Sequence, residues 1–130
     1  MPELPDVTVY VEAISARVLD RPLEGVRLAN PFLLRTAEPP ISAAQGRRVE
    51  EVRRQGKRIV LALEGGFFLA LHLMIAGRLH WKERGARPAG KAGLAAFDFP
   101  EGTLTLTEAG TKRRAALHLL QGEEALALLD

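Results

Sequence analysis

The sequence predicts a mainly β (α+β) fold, a β-sandwich of about eight strands with a long N-terminal helix against it and a second, C-terminal helix. Three observations carry that prediction. Apolar residues at Leu4, Val7, Val11, Ile14 and Val18 recur at alternating intervals of three and four, one stripe of an amphipathic helix. The runs that follow are short, apolar or alternating, and bounded by glycine, proline or asparagine. Gly56 and the pair Gly65-Gly66 fall between such runs, where the chain needs tight reversals.

Each element follows in order. In the first helix, Pro5 suits the first turn, where a missing N–H costs nothing, and Asp6 complements the positive helix end. Neither argument gives Pro2 or Glu3 a reason. "LEGVRLAN" alternates like a strand and stops at the turn signal Asn30-Pro31. "PFLLRTAEPPISAAQG" reads as an irregular connection with one helical turn. "RRVEEVRR", "KRIVLALE", "FFLALHLM" and "GRLHWKE" form a dense strand region, expected as a meander of hairpins. "RGARPAGKAG" reads as a Gly/Pro/basic loop of the mobile kind. "LAAFDF" and "TLTLTEA" form a hairpin about Pro100-Glu101-Gly102, and "RRAALHLL" is a further strand. "GEEALALLD" starts a helix that the chain end cuts off, so residues 1–130 are expected to be part of a longer protein. Phe67, Phe68, Phe97 and Phe99 read as core and hairpin packing, and Trp81 as a sheet residue. His72, His80 and His118 lie in strand-like runs and read as structural or satisfied core histidines.

Composition narrows the function. The 130 residues suit one domain. No stretch approaches the roughly 20 apolar residues of a membrane span, and no signal-peptide pattern opens the chain. Cysteine is absent, which excludes disulfides and thiolate metal sites and favours an intracellular protein. The net charge of +2 hides a segregation, because residues 45–91 hold eleven Lys/Arg against four Asp/Glu while residues 1–44 hold four against six. A local basic excess suits a polyanion, and a solvated charged face is the competing reading.

Two places carry chemistry. Pro2 becomes an N-terminal secondary amine once Met1 is removed, and a free α-amino group titrates near 8, so part of it is unprotonated at neutral pH. Such an amine attacking a sugar carbon forms an iminium, an electron sink like a lysine Schiff base. Glu3, beside it, can carry protons to and from the sugar. Many chains begin Met-Pro, so Pro2 alone decides nothing. Lys57 follows Gly56 at the head of an apolar strand, either as a strand-end charge or as a fixed cation at the rim of a cleft.

Taken together, "PELPDV", then "RRQGKRIVLAL", then "LALHLMIAGRL" resemble the formamidopyrimidine-DNA glycosylase/endonuclease VIII family across essentially the whole chain. The resemblance implies an N-terminal catalytic domain of a bifunctional DNA glycosylase/AP lyase that removes oxidised bases. It implies Pro2 as the Schiff-base nucleophile at C1′, Glu3 as general acid/base, and Lys57 as an aid to strand cleavage and a DNA contact. Further DNA contacts fall to Arg54, Arg58, Met74, Ile75, Arg113 and Arg114. The implied partner is damaged double-stranded DNA, bound by a monomer with the damaged nucleotide flipped out. The implied location is the bacterial cytoplasm, at the nucleoid. The family's helix–two-turn–helix region and usual zinc finger have no counterpart in these residues, so no cofactor is expected in this chain, and any zinc would belong to a region beyond it.

The departures are specific. Asp6 and Thr8 stand where the family usually has Glu. Met74 stands at the usual Gly, and Ile75 at the usual Met that wedges into the vacated base stack; Ile75 keeps an apolar wedge, against the alternative of a buried strand residue. Lys91-Ala92-Gly93-Leu94 replaces a Lys-His-Asp-His stretch. Ala115-Ala116 follows Arg113-Arg114 where Phe-Gly would stand. A DNA-binding relative with a drifted damage pocket, and a small N-terminal-proline enzyme of the tautomerase kind, are the rival readings.

Overall fold

The computed structural model describes residues 7–88, 90–110, 112 and 114–129. Pro2, Glu3 and Arg113 lie outside the described residues. Eight antiparallel strands form two four-stranded sheets. The first sheet has the order β2 (Val49–Gln55), β3 (Arg58–Leu63), β4 (Phe67–His72) and β8 (Ala116–Gln121). The second has the order β1 (Gly25–Leu28), β6 (Gly93–Phe99), β7 (Gly102–Glu108) and β5 (Gly77–Lys82). Helix α1 spans Val7–Val18 and helix α2 Glu123–Ala127.

The alternation of each strand decides which sheet face meets the core. Ile59, Leu61 and Leu63 of β3, Leu69 and Leu71 of β4, and Leu117 and Leu119 of β8 face Phe97, Phe99, Leu104 and Leu106 of the second sheet. The intervening Val60, Ala62, Phe68 and Ala70 point to the outer face, where α2 covers them with Leu126. Arg53 lies over the Phe68 ring and grips Glu123 with two guanidinium N–H groups, which holds α2 in place. Trp81 belongs to β5 and packs against Phe99.

Sandwich edges need covering, because unpaired strand edges invite pairing with other chains. On one side β2 and β5 are the edges, and α1 lies over both. Ile14 and Val18 enter the core there, and Tyr10 Oη accepts the Leu79 N–H at 3.4 Å. On the other side the segment after β1 runs beside β8. Leu34 pairs with Leu117 in parallel, and Leu117 O accepts the Arg35 N–H at 2.8 Å.

Four expectations are corrected. The meander holds for β2, β3 and β4 but breaks at β5, which pairs with β7 in the other sheet. The chain crosses between sheets through Leu73–Ala76, closed by the Gly77 N–H donating to Leu73 O at 3.0 Å. The irregular connection contains two 3-10 turns, Pro31–Leu33 and Ile41–Ala44, not one helical turn. The basic loop read as mobile is anchored at its start, where Gly85 N–H donates to Thr103 Oγ1 and Arg27 to Ala86 O. Helix α2, expected to run to the end of the sequence, spans Glu123–Ala127, with Leu128 N–H returning to Glu124 O.

Gly77 is where the crossing is most constrained. A Cβ there overlaps the Leu73 carbonyl, which is backbone and cannot swing aside. Gly77→Ala is expected to lower stability by about 1–3 kcal/mol, whereas Ile75→Ala, at an exposed site, stays within about 0.5 kcal/mol. Urea denaturation of the two variants checks this. Equal effects would show that the turn tolerates a side chain at Gly77.

Candidate functional site

Cross-strand register fixes what gathers at one end of the sandwich. Leu34, Leu117, Leu71, Ile59 and Arg54 form a continuous row across the first sheet. The next row outward contains Ala116, His72, Arg58 and Gln55. Beyond it come the turn with Gly56 and Lys57, the crossing turn with Met74 and Ile75, and the loop from Ala109 to Ala115. The N-terminal end of α1 joins them, because Arg54 donates to Thr8 Oγ1 at 3.1 Å and to Gly56 O at 2.8 Å.

A cleft of about 300 Å³ opens at this end, lined by Val7, Lys57, His72, Met74, Ile75 and their neighbours. Lys57 is exposed, in the β2–β3 turn. His72 faces it from the end of β4, and its Nδ1 accepts the Met74 N–H at 3.1 Å, which orients the ring and the turn together. Burial, with Arg58 and Lys57 nearby, holds the His72 imidazole below its ordinary value. A phosphate entering the cleft would reverse that balance, since a nearby anion favours the charged imidazole.

The crossing turn is built, not loose. Arg78 donates to Ile75 O at 3.0 Å and to Gly77 O at 2.8 Å. Met74 takes a φ of 59°, the left-handed region that glycine enters without cost and other residues do not. That accounts for glycine as the usual residue at this place. Met74 is 39% and Ile75 67% exposed, so the turn presents an apolar tip to solvent. The buried-strand alternative for Ile75 is thereby overturned.

Carboxylates are scarce here. Among the described residues, the turns and the 109–115 loop carry none. Glu108, at the end of β7, is 1% exposed and accepts the backbone N–H of Arg114 at 3.0 Å and of Ala115 at 3.0 Å. It pins the loop that presents Lys112 and Arg114 to solvent. The described ion pairs lie elsewhere: Arg48 with Asp20, Glu50 and Glu64, Arg21 with Glu101, Arg84 with Glu24. Of the cations in residues 45–91, Arg48, Arg53 and Arg84 are thus ion-paired away from the cleft, while Lys57 lines it and Arg54, Arg58 and Arg78 lie on or beside the turns that border it.

Of the residues expected from the sequence, Lys57, Met74 and Ile75 line one cleft. Arg58 is half-buried on the outer face beside His72, and Arg54 braces the turn against α1. Arg114 lies on the neighbouring loop. The structural reading of the histidines holds for His72, whose Nδ1 accepts the Met74 N–H while the ring lines the cleft; it is corrected for His80, which is exposed, and for His118, whose buried Nδ1 has no hydrogen-bond partner among the described residues. Sequence reasoning missed His72, Arg78 and Glu108. Only His72 left a signal, standing immediately before the apolar crossing segment. Among the described residues, no three His, Asp or Glu side chains gather as a metal site, and no helix is long and apolar enough to cross a membrane.

Residues 1–117 match the formamidopyrimidine-DNA glycosylase N-terminal domain. The chain belongs to that family. It is 30% identical to the formamidopyrimidine-DNA glycosylase of Mycoplasma genitalium over all of this chain and 46% of that protein. It is 34% identical to the Chloroflexus aggregans enzyme over 98% of this chain and 46% of that one. The chain therefore spans about half the length of these relatives. Solved structures agree on the fold. MutM in complex with DNA containing carbocyclic 8-oxo-G superposes with a TM-score of 0.84 at 20% identity, over 98% of this chain and 47% of that one. Lactococcus lactis Fpg in complex with DNA containing an abasic site gives the same values.

The two depressed histidines have a consequence for stability. Burial comes first for His118 as for His72, with Arg58 and Arg35 adding to it. The unfolded chain therefore takes up these protons at a higher pH than the folded chain does. Stability is fully present above the ordinary value of 6.5 and is lost as pH falls through it toward the lowered folded values. The urea midpoint is expected to drop from about pH 7.5 to about pH 5, and to drop less in His72→Gln/His118→Gln. An unchanged drop in the double variant would assign the acid sensitivity to carboxylates.

Proposed function

We propose that residues 1–130 are the catalytic half of a base-excision DNA glycosylase with AP lyase activity, acting on oxidised bases in damaged duplex DNA. One observation supports this above others: Val7, five residues along the chain from Pro2, lines the same cleft as Lys57 and the exposed Met74–Ile75 tip. In this reading the Pro2 amine serves a site that offers a cation and an exposed apolar tip, with no carboxylate among its described lining residues.

In this reading Lys57, joined by Arg58 and His72, holds the phosphates beside the damaged nucleotide. Ile75, with Met74, fills the gap left when that nucleotide leaves the stack. The Pro2 nitrogen attacks C1′, the N-glycosidic bond breaks, and the base departs with a proton. Glu3 protonates the sugar oxygen as the ring opens, giving an iminium. The iminium draws electrons from C2′, whose proton is lost as the 3′ phosphate is expelled. Hydrolysis then frees Pro2. Arg54 and Arg114 supply further backbone contacts. The reading assigns the helix–two-turn–helix region, and any zinc finger, to residues outside these 130. The isolated fragment then binds DNA weakly and with strong salt dependence, because half of the clamp is elsewhere.

The family's drifted-pocket alternative keeps binding and loses chemistry, so a covalent test separates the two. Borohydride is expected to trap the full-length protein on damaged DNA through Pro2 once Met1 is removed. Protein retaining Met1 should give no adduct, and Pro2→Gly, which keeps a terminal amine, should give some. Trapping undiminished by Met1 would move the nucleophile to a lysine and end the Pro2 assignment. Lys57→Ala is expected to slow lesion processing about tenfold or more beyond Arg58→Ala, the scale of a lost charged hydrogen bond. Equal, mild losses would make Lys57 an ordinary surface charge.

A further inference from the structure

One guanidinium at the cleft end joins two segments 46 residues apart. Arg54, in β2, donates from Nη1 to Thr8 Oγ1 at 3.1 Å and from Nε to Gly56 O at 2.8 Å. Thr8 stands in the first turn of α1, one residue after the helix starts at Val7. Gly56 O belongs to the peptide bond that leads into Lys57, within the tight turn closed by the Gln55–Arg58 pair, where Gly56 takes a φ of 61°. A single side chain therefore fixes the peptide plane before Lys57 and the end of the helix that residues 1–6 precede in the chain.

The Thr8 bond has little to offer stability. Thr8 and Arg54 are both exposed, and surface substitutions of that kind leave the folding equilibrium nearly unchanged. Helix α1 also has other anchors. Ile14 and Val18 enter the core, Tyr10 Oη accepts the Leu79 N–H, and the Asp20 N–H, just past the far end, donates to Val49 O at 2.8 Å. What the Thr8 bond adds is local, because it acts beside Val7, which lines the cleft. Misplacing a reacting group by about 1 Å can cost about a hundredfold in rate, so placement there matters more to chemistry than to folding. A neutral hydroxyl also holds the guanidinium without cancelling its charge. Arg54 stays a cation, and its Nη2 takes no part in either bond.

We propose that Thr8 is a positioning residue for the Schiff-base chemistry: through Arg54 it sets the first turn of α1, and with it the segment bearing Pro2, against the Gly56–Lys57 peptide. In this role Thr8 meets no reacting atom and exchanges no proton. The inference rests on the proposed glycosylase and lyase reading and adds to it a residue that reading does not use. It also separates geometry from binding. Releasing Thr8 changes how the amine and the Lys57 ammonium are placed relative to one another, while every cation that faces DNA remains.

Rate and affinity measured side by side, on the full-length protein with Met1 removed, test it. Single-turnover strand cleavage is followed on a duplex containing an abasic site, and affinity on a duplex containing a stable abasic-site analogue. Thr8→Val keeps the shape and removes the acceptor; it is expected to slow cleavage about fivefold or more, with affinity and urea midpoint unchanged. Thr8→Ser, which keeps the hydroxyl, should cleave at the wild-type rate. In a Lys57→Ala background, Thr8→Val should slow cleavage by less than about twofold further, because the cation it places is gone. Four results would each overturn the positioning role while leaving the lyase reading intact. They are wild-type cleavage by Thr8→Val, equal losses in Thr8→Val and Thr8→Ser, a loss of affinity or midpoint that accounts for the loss of rate, and full multiplication of the Thr8 and Lys57 losses. A wild type that fails to cleave the abasic duplex would overturn the lyase reading and this inference with it.

Discussion

The pairing of Arg58–Leu63 with Phe67–His72 is the constraint from which the rest of the molecule follows. Ile59 faces Leu71 and Arg58 faces His72, so one register sends leucines and isoleucines inward and cations outward. A slip of one residue would exchange the faces, placing Arg58 and His72 among Phe97 and Leu106. The energetic penalty of burying those groups unpaired is far larger than any single hairpin preference. Core packing therefore determines the height of every turn above the sheet. The β2–β3 turn, the crossing turn and the 109–115 loop come to one level because the leucine rows beneath them interlock.

Among the described residues, the turns at that level carry cations and no carboxylate, and Glu108 lies buried beneath them. Like charges brought together repel, and here Lys57, Lys112 and Arg114 are solvated while Arg54 and Arg78 donate to backbone oxygens. Arg54 and Arg78 spend donors on Gly56, Ile75 and Gly77 carbonyls, stiffening the turns they would otherwise only decorate. Met74 holds a left-handed φ there, a local cost sustained by the His72, Gly77 and Arg78 hydrogen bonds around it. The opposite end neutralises its cations with Asp20, Glu50, Glu64 and Glu101. A molecule polarised in this way orients toward a polyanion before touching it, which raises the encounter rate more than the final affinity.

Much of this was legible in the sequence, for reasons that can be stated residue by residue. The three-and-four spacing through Ile14 and Val18 specified a helix stripe. The alternation in β3, the glycine at 56 and the Asn30-Pro31 signal placed strands and turns. The path at Leu73–Ala76 was not legible, because "LHLMIAGRL" is apolar enough to pass for a hairpin and only tertiary pairing sends β5 to the other sheet. His72 looked like a strand residue because its neighbours alternate; its role depends on where β4 stops. Glu108 gave no sign of anchoring a loop, since the N–H groups it accepts belong to residues beyond the strand. The short reach of α2 was hidden by a leucine-rich tail that favours helix locally, although Leu126 and Leu129 both pack on the outer cluster.

The central claim is that the acid-poor end set by the β3–β4 register is the face that meets DNA. Backbone amide shifts of residues 1–130, followed by NMR as an abasic-site duplex is added, test it most directly. The account predicts changes concentrated at residues 56–58, 72–76 and 112–116, with the ion-paired turns at residues 20–24, 46–50 and 100–102 left unmoved. Changes centred on those ion-paired turns, or on the outer face beneath α2, would contradict it.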